Sequence, residues 1–138
     1  MVEPTARKNA AVGETKLHQR LTNKAAAWLR KSNSAGGHGC HVVVSEAWSG
    51  WDGEKPDAIG WRSCVHHEGT VLVEVKVSRA DFLADARKPH RANPSEGMGK
   101  WRYYLCPEGL IQPDELPPRW GLLWVTARGG LKAVAGPA

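Results

Sequence analysis

Apolar and polar residues alternate most regularly in "TVLVEVKVS" (Thr70–Ser78), and this period of two predicts a β-strand. Valines take every second position on one face of the strand. The other face carries Leu72, Glu74 and Lys76. Charged side chains are seldom found in a buried strand, so Glu74 and Lys76 are the first candidate functional residues.

Four further segments rich in β-branched and aromatic residues predict strands of the same sheet. They are His41–Trp48, Asp57–Val65, Lys100–Pro107 and Trp120–Ala127. Apolar residues recur at helical spacing after Gly13 and predict a first helix. Ser78, with Asp81 three residues later, is typical of a helix N-cap. A second helix is therefore expected over Arg79–Lys88, ending before Pro89.

The predicted elements follow the order helix, three strands, helix, two strands. This order indicates the α/β class, with a central mixed sheet of four to five strands flanked by helices. The length suits one domain, which we place at residues 13–134. Residues 1–12 show no periodicity and are predicted to form a flexible tail.

The composition is that of an ordinary globular protein, since 41% of residues are hydrophobic and 24% are charged. A net charge of +5 is compatible with a phosphate-bearing partner but does not require one. No apolar run approaches the roughly 20 residues of a membrane span, so no membrane partner is expected. Three widely spaced cysteines without a signal peptide favour a reducing, cytoplasmic location.

Asp57 begins the strand that precedes Thr70–Ser78, and a hairpin would bring it close to Glu74. If the connection were Cys64–Glu68, Asp57 would face Val75 instead, with its side chain on the wrong face of the sheet. A shift of one residue, or a bulge at Gly60, would correct this placement. The sequence leaves these alternatives open.

Two half-buried carboxylates repel each other, and a divalent cation relieves that repulsion. Mg²⁺ prefers one or two carboxylates together with water and phosphate oxygens, and Mn²⁺ can substitute. Asp57 and Glu74 are therefore predicted metal ligands, with the backbone carbonyl of Val75 as a third. Lys76 would orient or deprotonate the water that attacks phosphorus. A solvated cross-strand ion pair is the plainer interpretation of Glu74 and Lys76.

The combination of Pro56-Asp57 with Glu74-Val75-Lys76 resembles the motif of the PD-(D/E)XK nuclease superfamily. The segments "KPDAIGW" and "EVKVSRADFLADARKP" are similar to its MmcB-like DNA repair branch and to small phage-encoded relatives. The resemblance implies a restriction-endonuclease-like core of order αβββαβ. It also implies a bacterial or phage-infected cytoplasm as the setting.

The resemblance further implies an Mg²⁺-dependent deoxyribonuclease that leaves 5′-phosphate ends. Many members place a Glu from the first helix in the site, and Glu14 occupies the matching position. His18, one helical turn later, is interpreted as a half-buried, hydrogen-bonded histidine. DNA is the expected partner, and paired cuts on a duplex would favour a homodimer.

Basic residues interleaved with aromatic ones suit phosphate contact and base stacking. The predicted nucleic-acid contacts are Arg79, Arg87, Lys88, Arg91 and Lys100. The neighbouring aromatic residues are expected in the core, and a solvated helix face is the plainer interpretation of the cations. A second Pro-Asp pair, Pro113-Asp114, is interpreted as a turn because no Glu-X-Lys strand follows it.

Two alternatives to an active nuclease remain at this point. One is a catalytically silent nucleic-acid-binding module, and the other is a phage–host protein-interaction module on the same fold. A structural zinc site is a weaker possibility, because Cys-X-X-Cys spacing is absent. Its candidate ligands would be His38, Cys40, Cys64, His66, His67 and Cys106.

Overall fold

A computed structural model describes residues 4–32, 36–45, 57–63, 68–87 and 99–137, with the backbone alone for residues 4–12 and Glu14. Across these ranges no helix is both long and apolar enough to cross a membrane.

The fold is an α/β arrangement of two helices and a six-stranded mixed sheet. The helices are α1 (Pro4–Arg30) and α2 (Arg79–Ala86). The strands are β1 (Val42–Ser45), β2 (Ala58–Arg62), β3 (Gly69–Val75), β4 (Trp101–Pro107), β5 (Trp120–Val125) and β6 (Leu131–Ala135). The sequence predicted at most five strands, and β6 is the one that it missed.

The strands lie in the order β1-β2-β3-β4-β5-β6. The pairs β1–β2 and β2–β3 are antiparallel, as is β5–β6, whereas β3–β4 and β4–β5 are parallel. A parallel pair needs a crossover, and α2 supplies it between β3 and β4. The carboxyl ends of β3, β4 and β5 therefore share one edge of the sheet.

Helix α1 begins at Pro4 instead of Gly13, so residues 4–12, predicted as part of a flexible tail, are helical. This segment has good helix formers, including three alanines, but no apolar stripe. A prediction based on hydrophobic periodicity therefore misses this part of the helix. The second helix begins as predicted, because the Ser78 hydroxyl accepts from the Asp81 N–H at 3.2 Å.

Each face of the sheet carries its own hydrophobic core. Under α1, the buried residues include Leu21, Leu29, Ala58, Val71, Val73 and Leu105. Under α2, they include Leu72, Phe82, Tyr104, Ile111, Trp120 and Leu122. Alternation along β3 thus sends its valines towards α1 and places Leu72, Glu74 and Lys76 on the face that α2 covers.

The register between β2 and β3 decides where Asp57 lies. Arg62 pairs with Gly69 and Ala58 pairs with Val73, without a bulge. The connection is thus one residue longer than Cys64–Glu68, and this is the one-residue shift that brings Asp57 level with Glu74. Gly60 is needed for another reason, since a Cβ there would come within 2.7 Å of the Cys40 Sγ.

Candidate metal site at the carboxyl end of β3

The Asp57 carboxylate is fixed by two contacts. Its Oδ2 accepts from the backbone N–H of Val75 at 2.7 Å, and its Oδ1 lies 3.1 Å from Nε2 of His18 on α1. The Asp57 side chain is 16% exposed and that of His18 33%. The half-buried, hydrogen-bonded state predicted for His18 is confirmed, and Asp57 is held at the end of β3.

Glu74 is the second carboxylate of the candidate site. Ala58–Val73 is the last pair of the β2–β3 ladder, so the Asp57 backbone, one residue before β2, lies level with Glu74. The Asp57 carboxylate contacts His18 of α1, whereas Glu74 is on the face of β3 that α2 covers. Directly opposite residues of antiparallel strands have Cα atoms roughly 4.5–5.5 Å apart. Glu74 is buried at 5% exposure, and a buried carboxylate is stabilised by cationic or hydrogen-bonding partners.

The backbone of Val75 adds a third oxygen. Lys76 donates its N–H to the Leu105 carbonyl of β4 at 2.9 Å, whereas the Val75 N–H points the other way, to Asp57. The N–H and C=O of one extended residue point to the same side of a strand. The Val75 carbonyl is therefore directed to the side of β3 on which Asp57 lies.

Lys76 takes part in a buried polar network that the sequence did not predict. Its Nζ lies 3.4 Å from Oδ1 of Asp85, and the Tyr104 hydroxyl donates to the other Asp85 oxygen. Asp85 is 1% exposed and the Lys76 side chain 12%. The amine is thus anchored to α2 and β4 beside Glu74, whose Cα partner on β4 is Tyr104.

This donor set fits a hard divalent cation. Carboxylates and a backbone carbonyl are the kinds of ligand that Mg²⁺ or Mn²⁺ prefers, with water and phosphate oxygens completing the shell. Within the described ranges, no group of three or more His, Cys, Asp or Glu side chains gathers closely enough to hold a metal. The Glu14 side chain lies outside those ranges, and the described side chain that α1 brings to Asp57 is His18.

The predicted nucleic-acid contacts are spread over the molecule. Lys100 precedes β4, level with Thr70, so it lies roughly 17 Å along the strand from Val75 at ~3.3 Å per residue. Its Nζ donates to the Glu68 carbonyl at 3.2 Å. Arg87 is exposed at the far end of α2. Lys88 and Arg91 lie outside the described residues.

Arg79 lies near the candidate site but is held by Glu115. The guanidinium donates to both carboxylate oxygens, at 2.8 and 2.6 Å, and to the Leu110 carbonyl at 2.9 Å. Glu115 ends a short 3₁₀ helix, Pro113–Glu115, that follows a capping box at Gln112. The second Pro-Asp pair is thus part of a turn, as predicted.

Replacing Glu115 with Gln is expected to lower stability at neutral pH. The hydrogen bond from Arg79, followed by that from the Gln112 N–H, lowers the pKa of Glu115 from 4.5 to about 2. A lowered folded-state pKa stabilises the fold above the unfolded-state pKa, and that stabilisation is lost as pH falls towards 2. Thermal unfolding of wild type and Glu115→Gln should therefore differ most at pH 7 and converge near pH 2.

The exposed Glu108 provides the matched control, since Glu108→Gln removes a carboxylate without breaking the pair with Arg79. A Glu115→Gln variant whose midpoint stays below that of the wild type by the same amount at pH 7 and at pH 2 would contradict the assignment.

The zinc candidates that the structure describes are a hydrogen-bonded histidine, His38, and two buried thiols, Cys40 and Cys106. Arg62 donates to Nδ1 of His38 at 2.8 Å, so the ring proton is on Nε2 and is directed to the Tyr103 oxygen at 3.0 Å. Burial raises the pKa of the Cys40 thiol and raises that of Cys106 to about 11, so both stay protonated at neutral pH. Zinc binds thiolates. Cys64, His66 and His67 lie outside the described residues.

Comparison with known proteins gives one structural relation. The chain is similar to the "SPO1766 protein of unknown function from Silicibacter pomeroyi", with a TM-score of 0.60 and 27% sequence identity. The match covers 88% of this chain and 71% of the other. No protein-family model matches the chain, and no curated protein matches it.

Sequence reasoning missed Asp85 and Tyr104, although one signal for Asp85 was present. Asp85 lies three residues after Phe82, so both belong to one face of α2, and that face is buried. An acid on the buried face of a helix, opposite a strand that carries a lysine, predicts an ion pair. Tyr104 had no such signal, because a tyrosine in a core strand is ordinary.

Proposed function

We propose that this protein is a metal-dependent nuclease that hydrolyses DNA phosphodiester bonds and has a restriction-endonuclease-like core. One observation carries the proposal. The β2–β3 register leaves Asp57 level with Glu74 at the end of β3, where the Asp57 carboxylate accepts the Val75 N–H. Two motif residues, Asp57 and Glu74, thus lie level at one edge of the sheet, and Lys76 follows directly after β3.

The chain's own residues have distinct roles in this proposal. Asp57, Glu74 and the Val75 carbonyl would hold Mg²⁺, which supplies charge stabilisation for the phosphoryl group. The Val75 N–H and His18 keep the Asp57 carboxylate in one orientation. Asp85 holds the Lys76 amine beside Glu74, where it can position the attacking water.

Purified protein is expected to convert supercoiled plasmid to nicked and linear forms with Mg²⁺ or Mn²⁺, and to lose this activity in EDTA. Ligation without prior phosphorylation would report the 5′-phosphate ends that the resemblance implies. A Lys76→Ala variant, checked for folding by circular dichroism, is the control for contaminating nucleases. Cleavage by a folded Lys76→Ala preparation would come from another protein. Absence of cleavage with either metal would refute the proposal.

A second candidate is a nucleic-acid-binding module without turnover. It is favoured by one observation: the protein itself provides partners for both Asp57 oxygens and for the Lys76 amine. Binding of DNA without cleavage in either metal would select this candidate. A module that binds a host or phage protein would show neither binding nor cleavage of DNA.

A further inference from the structure

Positive charge is concentrated on α1 and just after it. Between Thr15 and Lys31 the sequence has five lysine or arginine residues and no aspartate or glutamate. Four of them recur at intervals of four, four and seven residues, which places them on one side of a helix. We call these four residues the α1 stripe: Lys16, Arg20, Lys24 and Lys31.

Two members of the α1 stripe, Lys24 and Lys31, line a groove whose other wall is the β5–β6 hairpin. Lys24 Nζ donates to the Gly129 carbonyl in the hairpin turn at 2.8 Å. Gly129 has a φ of +86°, a conformation that disfavours other residues, and a Cβ there would come 3.4 Å from the same Nζ. The turn therefore approaches α1 closely, which gives the groove two defined walls.

A cavity of about 360 Å³ lies in this groove. It is lined by Lys24, Trp28 and Lys31 on one side and by Gly129, Gly130 and Leu131 on the other, and none of its lining residues is acidic. Cavities of this size fall within the range of ligand pockets. Two ammonium groups without a nearby carboxylate in the lining suit an anion.

The spacing of the charges indicates an anion whose negative charges repeat at a regular interval. At ~1.5 Å per residue, successive members of the stripe four residues apart are separated by about 6 Å along the helix axis. This interval is close to that between successive phosphates of an extended single strand. A membrane surface is a poorer fit, because Lys24 and Lys31 line a groove between two walls and not a flat face.

We propose that the groove between α1 and the β5–β6 hairpin binds the phosphodiester backbone of a single nucleic-acid strand. His18 contacts Asp57 and lies about 120° around α1 from Lys24, at 3.6 residues per turn, so this surface is separate from the candidate metal site. The proposal does not depend on catalysis. The neighbouring pocket, beside Leu17 and Leu21, includes the carboxylate of Glu108, whereas the lining of the proposed groove has no acidic residue.

The test compares two double variants that both lower the net charge from +5 to +3. One is Arg20→Gln with Lys31→Gln, which leaves the Lys24–Gly129 hydrogen bond in place. The matched control is Arg119→Gln with Lys132→Gln, two exposed cations outside the cavity lining. Lys132 is on β6, but alternation places it on the opposite face from Leu131 and Ala133, which line the cavity. Fluorescence anisotropy with a labelled single-stranded oligonucleotide, in EDTA at several salt concentrations, measures the affinity of each.

The stripe variant is expected to bind about 25-fold more weakly than wild type at 0.1 M salt, and its salt slope should fall by about 1.4, since each single-strand phosphate contact contributes roughly 0.7. The control should stay within about threefold of wild type. Equal weakening of both variants, no weakening of either, or a loss confined to duplex DNA would overturn the proposal. Binding that follows the prediction without any plasmid cleavage would refute the nuclease alone.

Discussion

Replacing Asp57 with Asn is expected to lower the rate of Mg²⁺-dependent plasmid cleavage by at least ~100-fold, because the variant loses the charge that we propose as a metal ligand. The fold should survive, since the Asn carbonyl can still accept the Val75 N–H that Asp57 accepts at 2.7 Å. Calorimetric titration with Mn²⁺ should show a weaker affinity in the same variant. A loss of cleavage with unchanged thermal unfolding would therefore report on the site itself.

The chain contains its own matched control for this substitution. Asp114 also follows a proline, but it is exposed in the 3₁₀ helix Pro113–Glu115. Asp114→Asn removes the same charge from the same dipeptide and should leave cleavage and Mn²⁺ binding unchanged. Wild-type cleavage by Asp57→Asn, or equal losses in both variants, would exclude Asp57 as a metal ligand.

Replacing Asp85 with Ala is expected to lower the free energy of unfolding by about 3 kcal/mol, the scale for removing one partner of a buried ion pair. The Lys76 ammonium and the Tyr104 hydroxyl would both lose the carboxylate that they contact. Urea denaturation would show the change as a lower midpoint with a similar slope. Asp85→Asn, which keeps an acceptor for Tyr104, should lose less.

Asp81 is the matched control for Asp85 because it lies on the same helix and is exposed. Asp81→Ala removes an acid from the first turn and should cost about 0.3–1 kcal/mol. If Asp85→Ala unfolded at the same urea concentration as Asp81→Ala, the network would contribute little to stability. Its role would then be limited to holding the amine.

Features set by neighbouring residues were predictable from the sequence. The alternation in β3 gave the faces of Glu74 and Lys76, and Ser78 with Asp81 gave the start of α2. Strand β6 was missed because Leu131–Ala135 is short, rich in alanine and partly exposed at the edge of the sheet. Such a segment has little periodicity, and its pairing with β5 is what makes it a strand.

Features set by distant residues were not predictable. The placement of Asp57 depended on a single residue in the connection before Gly69, and hydrophobic alternation alone did not fix that length. The same limit applies to His18 and Asp85. His18 contacts Asp57 and Asp85 contacts Lys76, and in each pair the two residues lie on different elements. Whether they meet depends on how those elements pack.

The contacts of Asp57 and Lys76 join α1, the start of β2, the end of β3, α2 and β4. No local segment of the chain holds more than a part of this arrangement. Whatever chemistry it supports should consequently emerge late in folding and disappear early in unfolding. The nascent or damaged chain would then be harmless to the molecules around it, because its charged groups are assembled only by the cooperative native state.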